Sequence, residues 1–98
     1  MEKIDTKKLD VDFTQAVKDF KAVIKKSYTC RCGNEPDTGV PRRKIIDLFA
    51  GSPKTSRVSL LFTLVTILAV PAYGDESERL NSWMLRLLFE ITEELEKV

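Results

Sequence analysis

Two cysteines one residue apart, Cys30-Arg31-Cys32, give this chain its one arrangement with the look of half a metal knuckle. A structural zinc site needs four ligands, usually thiolate or imidazole, and the chain offers two cysteines and no histidine. One copy therefore cannot close such a site with those ligand types. Two copies pooling four thiolates could, or Glu35 and Asp37 could add oxygen ligands. The plainer expectation is a pair of free thiols in a surface loop, since a disulfide across one intervening residue is strained. Met1 to Asp10 lacks the apolar core of a secretory leader, which makes an intracellular, reducing setting the expectation. No metal or other cofactor is expected.

Catalysis finds little else to use. Without histidine there is no ordinary Ser-His or Cys-His pair and no base with an unperturbed pKa near neutrality. Gly33, Gly39, Gly51 and Gly74 are scattered at turns and build no phosphate loop. Glu90, Glu93, Glu94 and Glu96 read as the solvated end of a helix, not as an acid-base pair. The chain is not expected to be an enzyme.

The charges are unevenly placed. Residues 1–49 sum to +3 and residues 50–98 to −2, for a net charge of +1. Lys18, Lys21 and Lys25 share one side of a helical segment, and Lys26, Arg31, Arg42, Arg43 and Lys44 follow. These eight are the candidate nucleic-acid contacts, with Tyr28 available to stack on a base. An ordinary solvated lysine face with basic residues near turns is the favoured explanation, because a strong electrostatic footprint needs a larger basic excess. At the other end the glutamates oppose the helix dipole, which suggests a use outside their own helix, such as a basic patch on a neighbouring copy.

Four helical segments are expected to position these groups in one all-α domain spanning residues 1–98, with residues 1–11 flexible and 28–40 a loop. Asp12 and Gln15 form a capping-box-like start, after which Phe13, Ala16, Val17, Phe20 and Ile24 recur at helical spacing to about Ser27. Pro41 can open a second helix carrying Ile45, Ile46, Leu48 and Phe49, closed by Gly51. Ser52 and Pro53 then open a third that Pro71 ends. Asp75 and Glu78 start the fourth, lined by Leu80, Trp83, Met84, Leu87, Leu88, Ile91 and Leu95.

The third helix is the unusual one. From Val58 to Val70 its only polar side chains are Ser59, Thr63 and Thr66, a single hydroxyl stripe on an otherwise apolar rod. Such a helix must be covered by its own domain, by another protein or by lipid. Thirteen residues rise about 20 Å, short of the roughly 30 Å hydrocarbon core, so insertion is not expected. The expectation is a buried central helix with Leu64 fully enclosed. The last helix also carries more than one apolar face, and Trp83, Leu85 and Phe89 are the candidate partner contacts.

The stretch from Arg42 through Leu88, with its basic helix start, Ser52-Pro53-Lys54-Thr55, an apolar helix ending near a proline, an acidic turn and a helix bearing Trp83, resembles helical modules of internal proteins of negative-strand RNA viruses. It looks most like the N-terminal part of orthomyxovirus matrix proteins. That resemblance implies self-association and binding to nucleoprotein or a membrane surface, and carries over only to Arg42, Arg43 and Lys44.

The expected role is a non-catalytic interaction or self-assembly module that forms a homodimer or binds a protein partner. The alternative is a nucleic-acid-associated structural protein using the basic first half. Replacing both Cys30 and Cys32 by Ser is expected to leave fold and solution mass unchanged. Stoichiometric zinc near one ion per two chains, lost in that double variant, would show a shared thiolate site instead.

Overall fold

A computed structural model describes residues 6–30, 37–69 and 74–98, with side chains described for 6–27, 37–69, 78 and 80–98. The described residues form an all-α domain of four helices and no strand: α1 (Thr6–Cys30), α2 (Gly39–Ala50), α3 (Lys54–Leu68) and α4 (Gly74–Glu96). Arg31, Cys32 and Glu35 lie outside the described residues, as do the side chains of Tyr28 and Cys30.

Each helix brings one stripe to a shared core. Phe13, Ala16, Val17, Phe20 and Ile24 come from α1, Ile45 and Phe49 from α2, Leu60, Leu64 and Leu68 from α3, and Met84, Leu87, Ile91 and Leu95 from α4. The spacing of three and four residues keeps every stripe on one side of its rod. Leu64 is fully enclosed, as its mid-helix position demands. α1 packs against all three other helices and α4 against the other three as well, whereas α2 and α3 touch least. Around the bundle the order is therefore α1, α2, α4, α3, with α2 and α3 on opposite flanks.

The helix ends depart from the expected caps. α1 begins at Thr6, not Asp12, and Leu9 already packs against the core, so much of residues 1–11 is helix. Gln15, then inside the helix, donates to Asp19 Oδ1 at 2.9 Å instead of closing a capping box. At α2 the Asp37 carboxylate accepts from the Gly39 N–H at 3.2 Å, while the Thr38 carbonyl accepts the first helical bond from Arg42. Gly51 follows α2 at φ −80°, ψ −2°, an ordinary right-handed conformation open to any residue. Pro53 occupies the N-cap of α3, and the buried Ser52 hydroxyl turns back to donate to the Phe49 carbonyl at 2.6 Å. That hydroxyl closes α2 instead of opening α3. α3 ends at Leu68, with Ala69 as its C-cap, before Pro71 is reached.

Arg57 secures this corner. Its guanidinium lies 5.2 Å from the centre of the Phe49 ring and donates to the carbonyls of Ala50 and Val98, each at 3.4 Å. The contact to Val98 puts the start of α3 beside the end of α4. The two helices are thus antiparallel neighbours.

One core position is polar. Asn81 takes its place in the buried stripe of α4, and neither its amide oxygen nor its nitrogen has a hydrogen-bond partner. Leaving such a group unpaired costs about 1–3 kcal/mol. Asn81→Leu, which keeps the branching at Cγ and removes both polar atoms, is expected to raise stability by an amount in that range, read as a higher urea midpoint at unchanged slope. An equal or lower midpoint would mean that the amide is satisfied in solution.

Candidate functional site

Arg42, in the first turn of α2, reaches the last turns of α4. Its Nη2 lies 2.5 Å from Glu94 Oε1 and its Nε 3.2 Å from Glu94 Oε2, a forked contact, with Nη1 3.6 Å from Glu90. Both partners are only partly exposed. This bears on two expectations. Two of the acidic residues of α4 find their cation within the same chain, and Arg42 is engaged there instead of standing ready for a phosphate. Each charge sits at the end of its helix where the dipole disfavours it, the cation near an N-terminus and the anions near a C-terminus. Pairing them across α2 and α4 offsets both penalties.

The other basic candidates are divided. Lys21 Nζ donates to the Ile67 carbonyl at 2.7 Å, satisfying one of the unpaired carbonyls at the end of α3. Partial burial, with the neighbouring Lys25 adding to it, lowers the Lys21 pKa from its ordinary value. The unfolded chain keeps that proton to higher pH, so this group favours folding more as pH rises through the window between the two values. Lys18 and Lys25, three residues before and four after Lys21 on α1, are exposed. Arg43 and Lys44 belong to α2 on the opposite flank, where Arg43 pairs with Asp47 at 3.5 Å within an open depression also lined by Gly39, Val40, Lys44 and Leu48. Lys26 is exposed. The described basic residues thus do not converge on one surface. No group of three Cys, Asp or Glu that could hold a metal ion occurs among the described residues.

The apolar candidates also separate. Leu85 and Phe89, four residues apart, share one side of α4 and are 61% and 66% exposed. Trp83 is half-buried against the core on the side of α4 that carries Leu87, Glu90 and Glu94, next to α2. Two residues of offset turn it away from Leu85 and Phe89.

α3 supplies what the sequence reading missed. It buries only Leu60, Leu64 and Leu68, and exposes Val58 (76%), Phe62 (73%) and Val65 (45%), which are spaced four and three residues apart as a second apolar row. The expected burial of this helix within its own domain is met on one side only. Four helices arranged two by two give each rod two neighbours and an outer face, and the outer face of α3 carries this apolar row beside the exposed Ser59 and Thr66. The hydroxyls do not compensate, since Thr63 and Thr66 donate to the carbonyls four residues earlier, at 3.1 and 2.8 Å.

These two exposed rows border one seam. On α4, Glu90 and Glu94 point to α2, so the opposite side, with Leu88, Leu85 and Phe89, faces α3. On α3, the Ile67 end of the inner face meets Lys21 of α1, so the other side, with Leu61, Val65 and Val58, faces α4. Because the helices are antiparallel, the start of α3 lies toward the end of α4. Val58, Phe62, Val65, Leu85 and Phe89 form one outward apolar surface along the α3–α4 seam.

No protein-family model matches the chain, and no curated protein or solved structure is significantly similar to it. No helix among the described residues is long and apolar enough to cross a membrane.

The Arg42 fork generates a direct expectation. Alanine replacements of Arg42 and Glu94, singly and together, should give a coupling energy of about 1 kcal/mol that shrinks with added salt, as for a partly exposed ion pair. A coupling indistinguishable from zero at low salt would show that the two side chains do not meet in solution.

Proposed function

We propose that this chain is a non-catalytic protein–protein interaction module that acts by self-association. The observation that carries this reading is the apolar seam surface of α3 and α4, five large side chains exposed together on a domain whose core is otherwise closed. Each is a Val, Leu or Phe, and placing a charge among such residues at the centre of an apolar contact buries it without a partner. Their exposed apolar area, about 550 Å² from typical side-chain areas, is at the upper end of the largest patch seen on monomers.

The basic residues support the rival nucleic-acid reading less well, because Arg42 and Lys21 are engaged within the chain and the rest lie on separate flanks. Sedimentation over a concentration series is expected to show reversible dimerisation of the wild type, with Phe62→Glu monomeric over the same range. A wild type that stays monomeric at the highest concentration overturns the reading. RNA or DNA binding at low salt that falls steeply with added salt would put the nucleic-acid role in its place.

A further inference from the structure

Resting on that reading, we infer that the partner on the seam is a second copy of this chain, related by a twofold axis that runs along the seam, so that α3 of each copy packs antiparallel on α4 of the other. The argument starts from the two rows that flank the seam. Along α3 the outer row reads Lys54, Val58, Phe62, Val65, and along α4 it reads Leu85, Phe89, Glu93, Glu96. All eight are exposed, and no ion pair engages Lys54, Glu93 or Glu96 among the described residues. Antiparallel packing within the chain puts Lys54 at the same end as Glu93 and Glu96, since the start of α3 lies beside Val98.

Charge then selects the symmetry. An axis along the helices keeps the two charged ends together, so Lys54 of each copy lies at the end that carries Glu93 and Glu96 of the other. An axis across the helices would instead lay Glu93 and Glu96 over the Leu85 and Arg86 end of the partner's α4 and Lys54 over the apolar end of its α3, leaving Lys54 without a carboxylate. Only the first arrangement gives Lys54 a carboxylate partner. It is isologous, as a closed dimer requires.

Area and rim chemistry agree with this occupant. About 550 Å² of apolar side chain per copy, with its polar rim added, approaches the roughly 800 Å² per partner of a standard stable interface. An anionic lipid surface would want a basic rim, and the α4 edge of the patch carries Glu93 and Glu96. In the dimer, α3 and α4 of both copies form a second antiparallel four-helix core, and the outer face of α3 is covered at last.

Charge reversal tests the orientation. The Lys54 contact occurs twice per dimer, so Lys54→Glu is expected to weaken dimerisation about tenfold at low salt, from two surface ion pairs lost together. Glu93→Lys with Glu96→Lys should do the same, and all three substitutions together should restore the wild-type affinity to within about threefold. A second readout uses single cysteines in a Cys30→Ser, Cys32→Ser background. A mixture of Phe62→Cys and Phe89→Cys chains should give a disulfide-linked dimer under mild oxidation, while neither chain alone should. Far-ultraviolet circular dichroism checks that each variant keeps its helix content. A wild-type dimer unaffected by the charge reversals, or one in which each cysteine chain links to itself, overturns this interface while leaving self-association standing. A monomeric wild type overturns both.

Discussion

A helix in a two-by-two bundle can turn only part of its circumference inward, and α3 is apolar over far more than that part. This mismatch organises the molecule. The inward row Leu60, Leu64 and Leu68 joins the stripes of α1, α2 and α4 in one core, and the outward row Val58, Phe62 and Val65 stays exposed among the described residues. Apolar surface left in water is costly in proportion to its area, at about 25 cal/mol per Å². The same segment that anchors the core therefore supplies the surface most in need of a partner.

Electrostatics do a different job here from the one that composition suggests. Arg42, Arg57 and Lys21 all act as internal fasteners. Arg42 ties the start of α2 to the end of α4, Arg57 ties the α2–α3 corner to Val98, and Lys21 ties α1 to the end of α3. Each meets a carboxylate or a carbonyl at a helix end, where backbone acceptors go unpaired and the local dipole is negative. The charges left without such a role include Lys54, Glu93 and Glu96, which frame the apolar seam. Division of labour among charges of one sign is invisible to a count.

Asn81 stands out against this economy. It occupies an apolar position in the stripe of α4 with both polar atoms unpaired, in the N-terminal half of the helix. Buried polar groups of this kind fix register in some helical assemblies at the expense of stability. The stripe of α4 would otherwise read as an uninterrupted ladder from Leu80 to Leu95.

Four helices, their order and their inward faces were legible in the sequence because a period of 3.6 residues marks a buried stripe without reference to any neighbour. Phe13 through Ile24 and Met84 through Leu95 are buried where that period places them, and the exposure of Leu85 and Phe89 followed from the same count. The caps were less legible: Gln15, Ser52 and Gly51 have the right residue types for ends, yet their hydrogen bonds depend on where the backbone stops, which neighbouring helices influence. The candidate site was half legible. The period shows which side of α4 lies away from the core, and on α3 the hydroxyl stripe of Ser59, Thr63 and Thr66 points away from Leu64, but Val58, Phe62 and Val65 are as apolar as the buried leucines, so their exposure could not be read until α1 and α4 were in place. Only the tertiary structure decided that Val58, Phe62 and Val65 share a seam with Leu85 and Phe89, and that Trp83 does not. Sequence determines a helix's faces through its own period, whereas which faces meet is settled by the packing of all four rods at once.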